Sequence, residues 1–161
     1  MKPAVTAAFE AEIDEIIARY PQRRSASLMV LHALQERSGW ISPEAIEWAA
    51  RKLELQPIHL FELVTFYPMF RQQPAGKFQF KVCRTLSCAL GGSHRLHEHL
   101  CRKFGLDPHR HGIQTTPDGR FSVEFVECLA SCGTAPVVMV NEDFHEGVTP
   151  ERADALVAGC R

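Results

Sequence analysis

Four of the six cysteines in this 161-residue chain fall in two close pairs, and their spacing suits metal binding. The first pair is Cys83 and Cys88, and the second is Cys128 and Cys132. Thiolate sulfur is a soft ligand that binds iron and zinc well. The remaining two cysteines stand alone in the sequence, so the two pairs form the candidate site.

The spacing leaves several kinds of site open. Two cysteines on each of two loops would satisfy a [2Fe-2S] cluster, in which each iron takes two thiolates. A four-cysteine zinc site needs the same number of ligands, although the gap between Cys83 and Cys88 is at the long end of the usual zinc spacing. Disulfides are a further use, which a reducing cytosol disfavours. A thioredoxin-type redox pair would need a closer Cys-x-x-Cys, which the sequence lacks.

The composition excludes several classes of function. With 45% hydrophobic and 23% charged residues, the chain is typical of a soluble globular protein. No apolar run approaches the roughly 20 residues that a membrane-spanning helix needs, so direct membrane insertion is not expected. The first residues have no apolar core of signal-peptide length and lead into an acidic stretch, which predicts a cytoplasmic location. The net charge is -1 and there is no basic block, so nucleic acid is not an expected partner.

The first 70 residues have the apolar spacing of helices. Ser42, Pro43 and Glu44 mark a clear helix start, because a serine hydroxyl caps the backbone N–H groups and proline fits the first helical position. Apolar residues at intervals of three and four extend the same pattern on either side of this start. The sequence therefore predicts four helices, over about 9–20, 25–39, 43–53 and 57–64.

A polar segment with proline and glycine, 71–76, separates this helical pattern from strand-like alternation. Alternating residues predict a strand over 78–82 that delivers Cys83 and another over 121–125 that leads to Cys128. Between them we expect a helix after Gly92, and after them strands over 137–140 and 144–148 and a helix from Thr149 to Gly159. The predicted fold class is α+β, with a helical domain over 1–74 and an α/β domain with a small mixed sheet over 75–161.

Three histidines on the helix after Gly92 raise the question of a second metal site. His97 falls on the apolar face of that helix, whereas His94 and His99 lie at opposite edges of this face. The three side chains therefore do not converge, and we expect one packed and two solvated histidines.

Motifs along nearly the whole chain, taken with the cysteines, resemble those of the thioredoxin-like [2Fe-2S] ferredoxin family, typified by the 24 kDa subunit of NADH:quinone oxidoreductase (respiratory complex I). Each motif is short, but their order and spacing together are specific. They include Gly39-Trp40, Thr65-Phe66-Tyr67-Pro68-Met69-Phe70, Val82-Cys83, Leu86-Ser87-Cys88, Val126-Glu127-Cys128-Leu129, Ala135-Pro136 and Thr149-Pro150-Glu151.

The resemblance implies a helical bundle followed by a thioredoxin-like domain that holds one [2Fe-2S] cluster. The family's four ligand positions fall on Cys83, Cys88, Cys128 and Cys132, whereas Cys101 and Cys160 match none. The implied function is electron transfer with the FMN of a partner flavoprotein subunit that also binds NADH. Further iron–sulfur subunits are implied partners.

This chain would then be a subunit of NADH:quinone oxidoreductase (NADH dehydrogenase), without a complete active site of its own. It would be cytoplasmic, or peripheral on the cytoplasmic face of the membrane through the parent complex. The alternatives are an equivalent subunit of an NAD-linked hydrogenase or formate dehydrogenase, a free carrier, and a four-cysteine zinc-binding interaction module.

One departure from the family lies in the second cysteine loop. Members commonly have Gly-Ala before the last ligand, where this chain has Ala130-Ser131. A positive φ at this position would favour glycine, so Ala130 bears on the shape of the loop and on the reduction potential of the cluster.

Overall fold

The computed structural model describes residues 6–161 and groups the chain into two compact units, one that ends at Pro74 and a second, Ala75–Arg161. None of the helices in the described residues has the length and apolar character needed to cross a membrane. The helices are α1 (Ala7–Ala18), α2 (Ser27–Ser38), α3 (Pro43–Leu53), α4 (Pro57–Phe66), α5 (Leu86–Leu90), α6 (Ser93–Phe104) and α7 (Pro150–Gly159). The strands are β1 (Phe78–Cys83), β2 (Gln114–Thr115), β3 (Phe121–Val126), β4 (Val138–Val140) and β5 (Asp143–His145).

The first unit is a bundle of α1 to α4, and local signals set where its helices begin and end. The Ser42 hydroxyl accepts a hydrogen bond from the Ala45 N–H, which caps α3 as expected. Gly39 ends α2 in the left-handed conformation, and a 3₁₀ turn, Arg23–Ala26, precedes this helix. The four predicted helices are confirmed, and α2 begins at Ser27. Their apolar faces enclose one core, built around Ile13, Val30, Leu31, Leu34, Ile41, Ala49, Leu53, Leu60 and Val64.

The second unit is built on a mixed five-stranded sheet in the order β2-β3-β1-β4-β5. The central strands β1 and β3 are parallel, and the other pairs are antiparallel. Because α6 packs on β1 and β3 and also contacts α7, the inward residues of the sheet lie beneath helices. The predicted α+β class with a small mixed sheet is confirmed. The core residues include Phe80, Val82, Leu96, Leu100, Cys101, Val123, Val138, Val148 and Ala153.

Three elements of this unit differ from the sequence prediction. A short helix, α5, forms where a loop was expected, and β2 was not predicted because two residues are too few to show alternation. The strand β5 was predicted over 144–148 but ends at His145. Asn141 adopts a φ of +55°, so the turn after β4 is tight enough for Asp143 to pair with Val140. The residues after His145 therefore lie outside the strand.

Candidate metal centre

The two cysteine pairs lie at one edge of the sheet because β1 and β3 are parallel. Cys83 is the last residue of β1 and lies opposite Val126, the last residue of β3. The Arg84 N–H continues this pairing with a 3.0 Å hydrogen bond to the Val126 carbonyl oxygen. Cys128 follows two residues after Val126. The segments that carry the two pairs therefore leave the sheet side by side.

The first pair is buried. Cys83 and Cys88 expose only 1% and 3% of their surface, and they form a small cluster with Val137. Cys88 occupies the middle of α5, so a helical turn rather than an open loop presents its thiol. Leu129, from the segment that carries the second pair, packs against the same cluster. This contact brings the two segments together behind the thiols.

The second pair is exposed. The sulfur atoms of Cys128 and Cys132 are 4.0 Å apart, and both residues lie on the surface. Cys132 opens a 3₁₀ turn, Cys132–Thr134, immediately after the loop. Burial raises the pKa of Cys88, and its interaction with Cys132 adds to this rise, so the two pairs are close enough to interact electrostatically. The outer pair thus lies on the solvent-exposed side of the site.

Hydrogen bonds to sulfur give the thiols of the inner pair different acidities. Burial favours the neutral thiol of Cys83, but the Thr85 hydroxyl and the backbone N–H of Leu129 stabilise the thiolate and lower its pKa overall. Burial raises the pKa of Cys88, and the neighbouring Cys83 raises it further. The structure therefore favours the thiolate of Cys83 over that of Cys88.

Backbone N–H groups also donate to these sulfur atoms. The Ala130 N–H donates to the Cys128 sulfur at 3.3 Å. Gly91 serves close packing instead, because a Cβ at this position would lie only 3.1 Å from the Ala135 Cβ. Glycine at this position lets the end of α5 pack closely against the segment after Cys132. Donors to cluster sulfurs tune reduction potential.

An ion pair joins the two ligand segments. The Arg84 Nε donates to a Glu127 carboxylate oxygen at 2.9 Å, and these residues directly follow Cys83 and precede Cys128. Both side chains are more than half exposed, so the pair contributes at most about 1 kcal/mol to stability. The Arg84 guanidinium also offsets the negative charge of Glu127 next to Cys128. The sequence gives no sign of this pairing, because the two residues are 43 positions apart.

The histidines of α6 do not join the site. His97 is buried and stacks on Phe125, with 3.9 Å between the ring centroids. His94 is exposed, as expected, whereas His99 is only partly exposed and its Nε2 lies 2.8 Å from a carboxylate oxygen of Asp154. The prediction that His97 packs is confirmed. His99 differs from the prediction because α7 supplies a partner that the pattern of α6 does not reveal.

The donor set has the chemistry that a two-iron cluster requires. Four thiols lie in two pairs, and N–H groups are directed at several of the sulfur atoms. A [2Fe-2S] cluster divides its ligands over two iron atoms, with two thiolates on each. The paired arrangement fits the cluster.

Comparison with known proteins agrees with this fit. The model of the thioredoxin-like [2Fe-2S] ferredoxin family matches residues 13–161. The chain belongs to this family. The cofactor of this thioredoxin-like ferredoxin is therefore one [2Fe-2S] cluster, and the family resemblance read from the sequence is confirmed.

Relatives and solved structures place the chain near subunits of NAD-linked enzymes. It is 42% identical to a subunit of the NADH-quinone oxidoreductase of Thermus thermophilus, covering 92% of this chain and 82% of that protein. It is 39% identical to a subunit of an NADH-quinone oxidoreductase of Rhizobium meliloti, covering 93% and 87%. It is also similar to a chain of an NAD+-reducing [NiFe]-hydrogenase in the H2-reduced state, at 25% identity and a TM-score of 0.65. That match covers 81% of this chain and 22% of the hydrogenase chain.

Proposed function

We propose that this thioredoxin-like ferredoxin is an electron-transfer subunit of an NADH:quinone oxidoreductase. It would exchange electrons, one at a time, with the FMN of a partner flavoprotein subunit that oxidises NADH. The observation that carries the proposal is the meeting of two cysteine pairs at one sheet edge, in a chain 42% identical to a subunit of such an enzyme. Further iron–sulfur subunits would accept the electrons from that flavoprotein.

We propose Cys83, Cys88, Cys128 and Cys132 as the ligands of the cluster. The other two cysteines are placed differently: Cys101 is fully buried in the core, and the sulfur of Cys160 donates to the Leu156 carbonyl oxygen. When bound, the cluster stores one electron at a time. The protein supplies the thiolates, the N–H donors and the apolar backing around Val137 that keeps water from the inner pair.

In this proposal the partner flavoprotein subunit, and not this chain, binds NADH. The sequence has no Gly-x-Gly-x-x-Gly after a strand, the pattern that binds the pyrophosphate of a dinucleotide. We further propose that residues 1–74 form a helical domain and residues 75–161 the cluster domain. The assembly would lie in the cytoplasm or on the cytoplasmic face of the membrane.

Purified protein tests the cofactor and its ligands. We expect two irons and two sulfides per chain, a brown colour, and an EPR signal on reduction. Cys128→Ser should abolish or shift that signal, whereas the matched control Cys160→Ser should leave it unchanged. Equal loss in both variants would mean that the ligand set is wrong, and colourless protein with one zinc would reject the cluster altogether.

Purification from the native source tests the assembly. Under the proposal, the chain copurifies with an FMN-containing flavoprotein and NADH reduces the cluster within that complex. The similarity to a chain of an NAD+-reducing hydrogenase supports a second candidate, the equivalent subunit of such an enzyme. A copurifying nickel–iron subunit would select that candidate. A chain that binds no flavoprotein would refute both.

A further inference from the structure

The residues that follow β5 contact the second cysteine loop through Glu146. Its carboxylate accepts a hydrogen bond from the Thr134 hydroxyl at 2.6 Å and another from the Ser131 hydroxyl. The two hydroxyl oxygens are 2.8 Å from each other. Ser131 directly precedes Cys132, and Thr134 lies two residues after it. One carboxylate therefore binds on both sides of a proposed ligand.

The backbone around Glu146 strengthens this contact. The Gly147 N–H donates to the Thr134 carbonyl oxygen at 2.7 Å. On the other side, the Arg152 guanidinium in α7 donates to the Glu146 carbonyl oxygen at 2.6 Å. Val148, two residues on, is fully buried in the core of the unit. The carboxylate is thus held by a segment that is itself fixed to the core.

The second loop needs such support because its own backbone is irregular. Ala130 adopts a φ of +62°, and Ser131 lies outside both the helical and the extended regions, with φ -120° and ψ 59°. The loop is short, mostly exposed and without regular secondary structure before Cys132. Hydrogen bonds to a carboxylate are stronger than those between neutral groups. The Ser131 and Thr134 hydroxyls lower the pKa of Glu146, so it is a carboxylate at neutral pH.

We infer that Glu146 is a positioning residue for the cluster: it holds the loop around Cys132 in its ligating shape and places a negative charge beside the site. The inference rests on the proposed ligand set. Loss of the two hydrogen bonds should let Cys132 leave the iron more readily. Loss of the charge should stabilise the reduced cluster, which is the more negative form, and so raise its reduction potential.

Two variants of Glu146 separate its effect on the shape of the loop from the effect of its charge, and Glu142 provides the control. Glu146→Gln removes the charge and weakens both bonds, whereas Glu146→Asp keeps the charge but is too short to reach both hydroxyls. Glu142→Gln removes an equal charge from a carboxylate that pairs with Lys81 instead. Each protein is purified with its cluster, and the readouts are the rate of iron release to a chelator, the midpoint potential and the EPR line shape.

We expect Glu146→Gln to release iron about tenfold faster than the wild type, in line with the loss of other partners that orient metal ligands. Its midpoint potential should rise by more than that of Glu142→Gln. Glu146→Asp should also release iron faster but keep a potential near the wild-type value. Iron release at the wild-type rate in both Glu146 variants, or an equal rise in potential for Glu142→Gln, would overturn the inference.

Thr134→Val provides a second route that leaves Glu146 in place. It removes one hydroxyl without a change of shape, and should speed iron release in the same direction as Glu146→Gln. Because both changes break one network, the double variant should release iron no faster than the faster single variant. Fully additive effects would overturn the inference. A wild-type protein without two irons would instead reject the proposed function, and the inference with it.

Discussion

Replacing Ala130 with glycine is expected to stabilise the protein by about 0.5–1 kcal/mol. Ala130 has a φ of +62°, in the left-handed region that L-residues avoid, and it is exposed. The methyl group therefore contributes little burial to offset the strain. The sequence raised the question of whether this position requires a positive φ, and the structure answers that it does.

The magnitude follows from two opposing effects. The left-handed conformation costs an L-residue about 1–2 kcal/mol, and glycine does not incur this cost. Glycine loses more backbone entropy on folding, which opposes the gain by about 0.5–1 kcal/mol. The opposite substitution, Ala130→Val, should destabilise the protein by about 1 kcal/mol or more, because β-branched residues tolerate positive φ least.

Thermal unfolding of the cluster-loaded protein, at one fixed scan rate, measures the effect. A gain of this size corresponds to a rise in Tm of about 1–4 °C for a chain of this length. Glu54→Gly is the matched control, because Glu54 also has a positive φ, +58°, at the end of α3 in the first unit. It should also raise Tm, by somewhat less, because the variant loses an exposed ion pair between Glu54 and Arg23.

The cluster reports whether the loop keeps its shape. Ala130→Gly retains the backbone N–H that donates to the Cys128 sulfur, so the EPR signal and the midpoint potential should stay close to wild type. A Tm that does not rise in Ala130→Gly, while it rises in Glu54→Gly, would refute the reasoning about strain. A large shift of the midpoint potential would mean that the loop changes shape when glycine replaces Ala130, contrary to this prediction.

Three further measurements test the packing of the second unit. Gly76→Ala should cost about 1–3 kcal/mol in urea unfolding, since its Cβ would lie 2.4 Å from the Phe121 carbonyl carbon, whereas Gly159→Ala, with open space, should cost nothing. Burial lowers the pKa of His97 from 6.5, so the unfolded state binds more protons than the folded state at acidic pH. The free energy of unfolding should therefore fall as the pH drops below 6.5, and His97→Gln should reduce this dependence on pH. Burial raises the pKa of Cys101 to about 11, so iodoacetamide at pH 8 should leave this thiol unmodified until urea is added, as mass spectrometry would show.

Signals within a few residues of each other predicted much of the fold correctly. The serine cap and proline at the start of α3, and the glycine that ends α2, act on the backbone next to them. The alternation that ends at Cys83 reflects one buried face of β1. Such features depend on local geometry, so the sequence alone carries them.

Local signals failed for the two short elements α5 and β2. The apolar residues Leu86 and Leu90 of α5 are 75% and 81% exposed, so they give no sign of a helix that packs inward. The strand β2 has two residues, and its Gln114 is buried through hydrogen bonds to the backbone of Asp107 rather than by an apolar pattern. Tertiary contacts decide both elements.

The cysteine site shows the same division. The spacing of four cysteines, with the family resemblance, determined which residues to expect at the cluster. The tertiary structure decided that Cys83 and Cys88 are buried whereas Cys128 and Cys132 are exposed, because only the inner pair packs into a cluster with Val137. It also decided the partners of the ligand segments. Arg84 and Glu127 are 43 residues apart in the sequence, and Thr134 and Glu146 are 12 apart. Only the folded chain brings such distant residues within hydrogen-bonding distance.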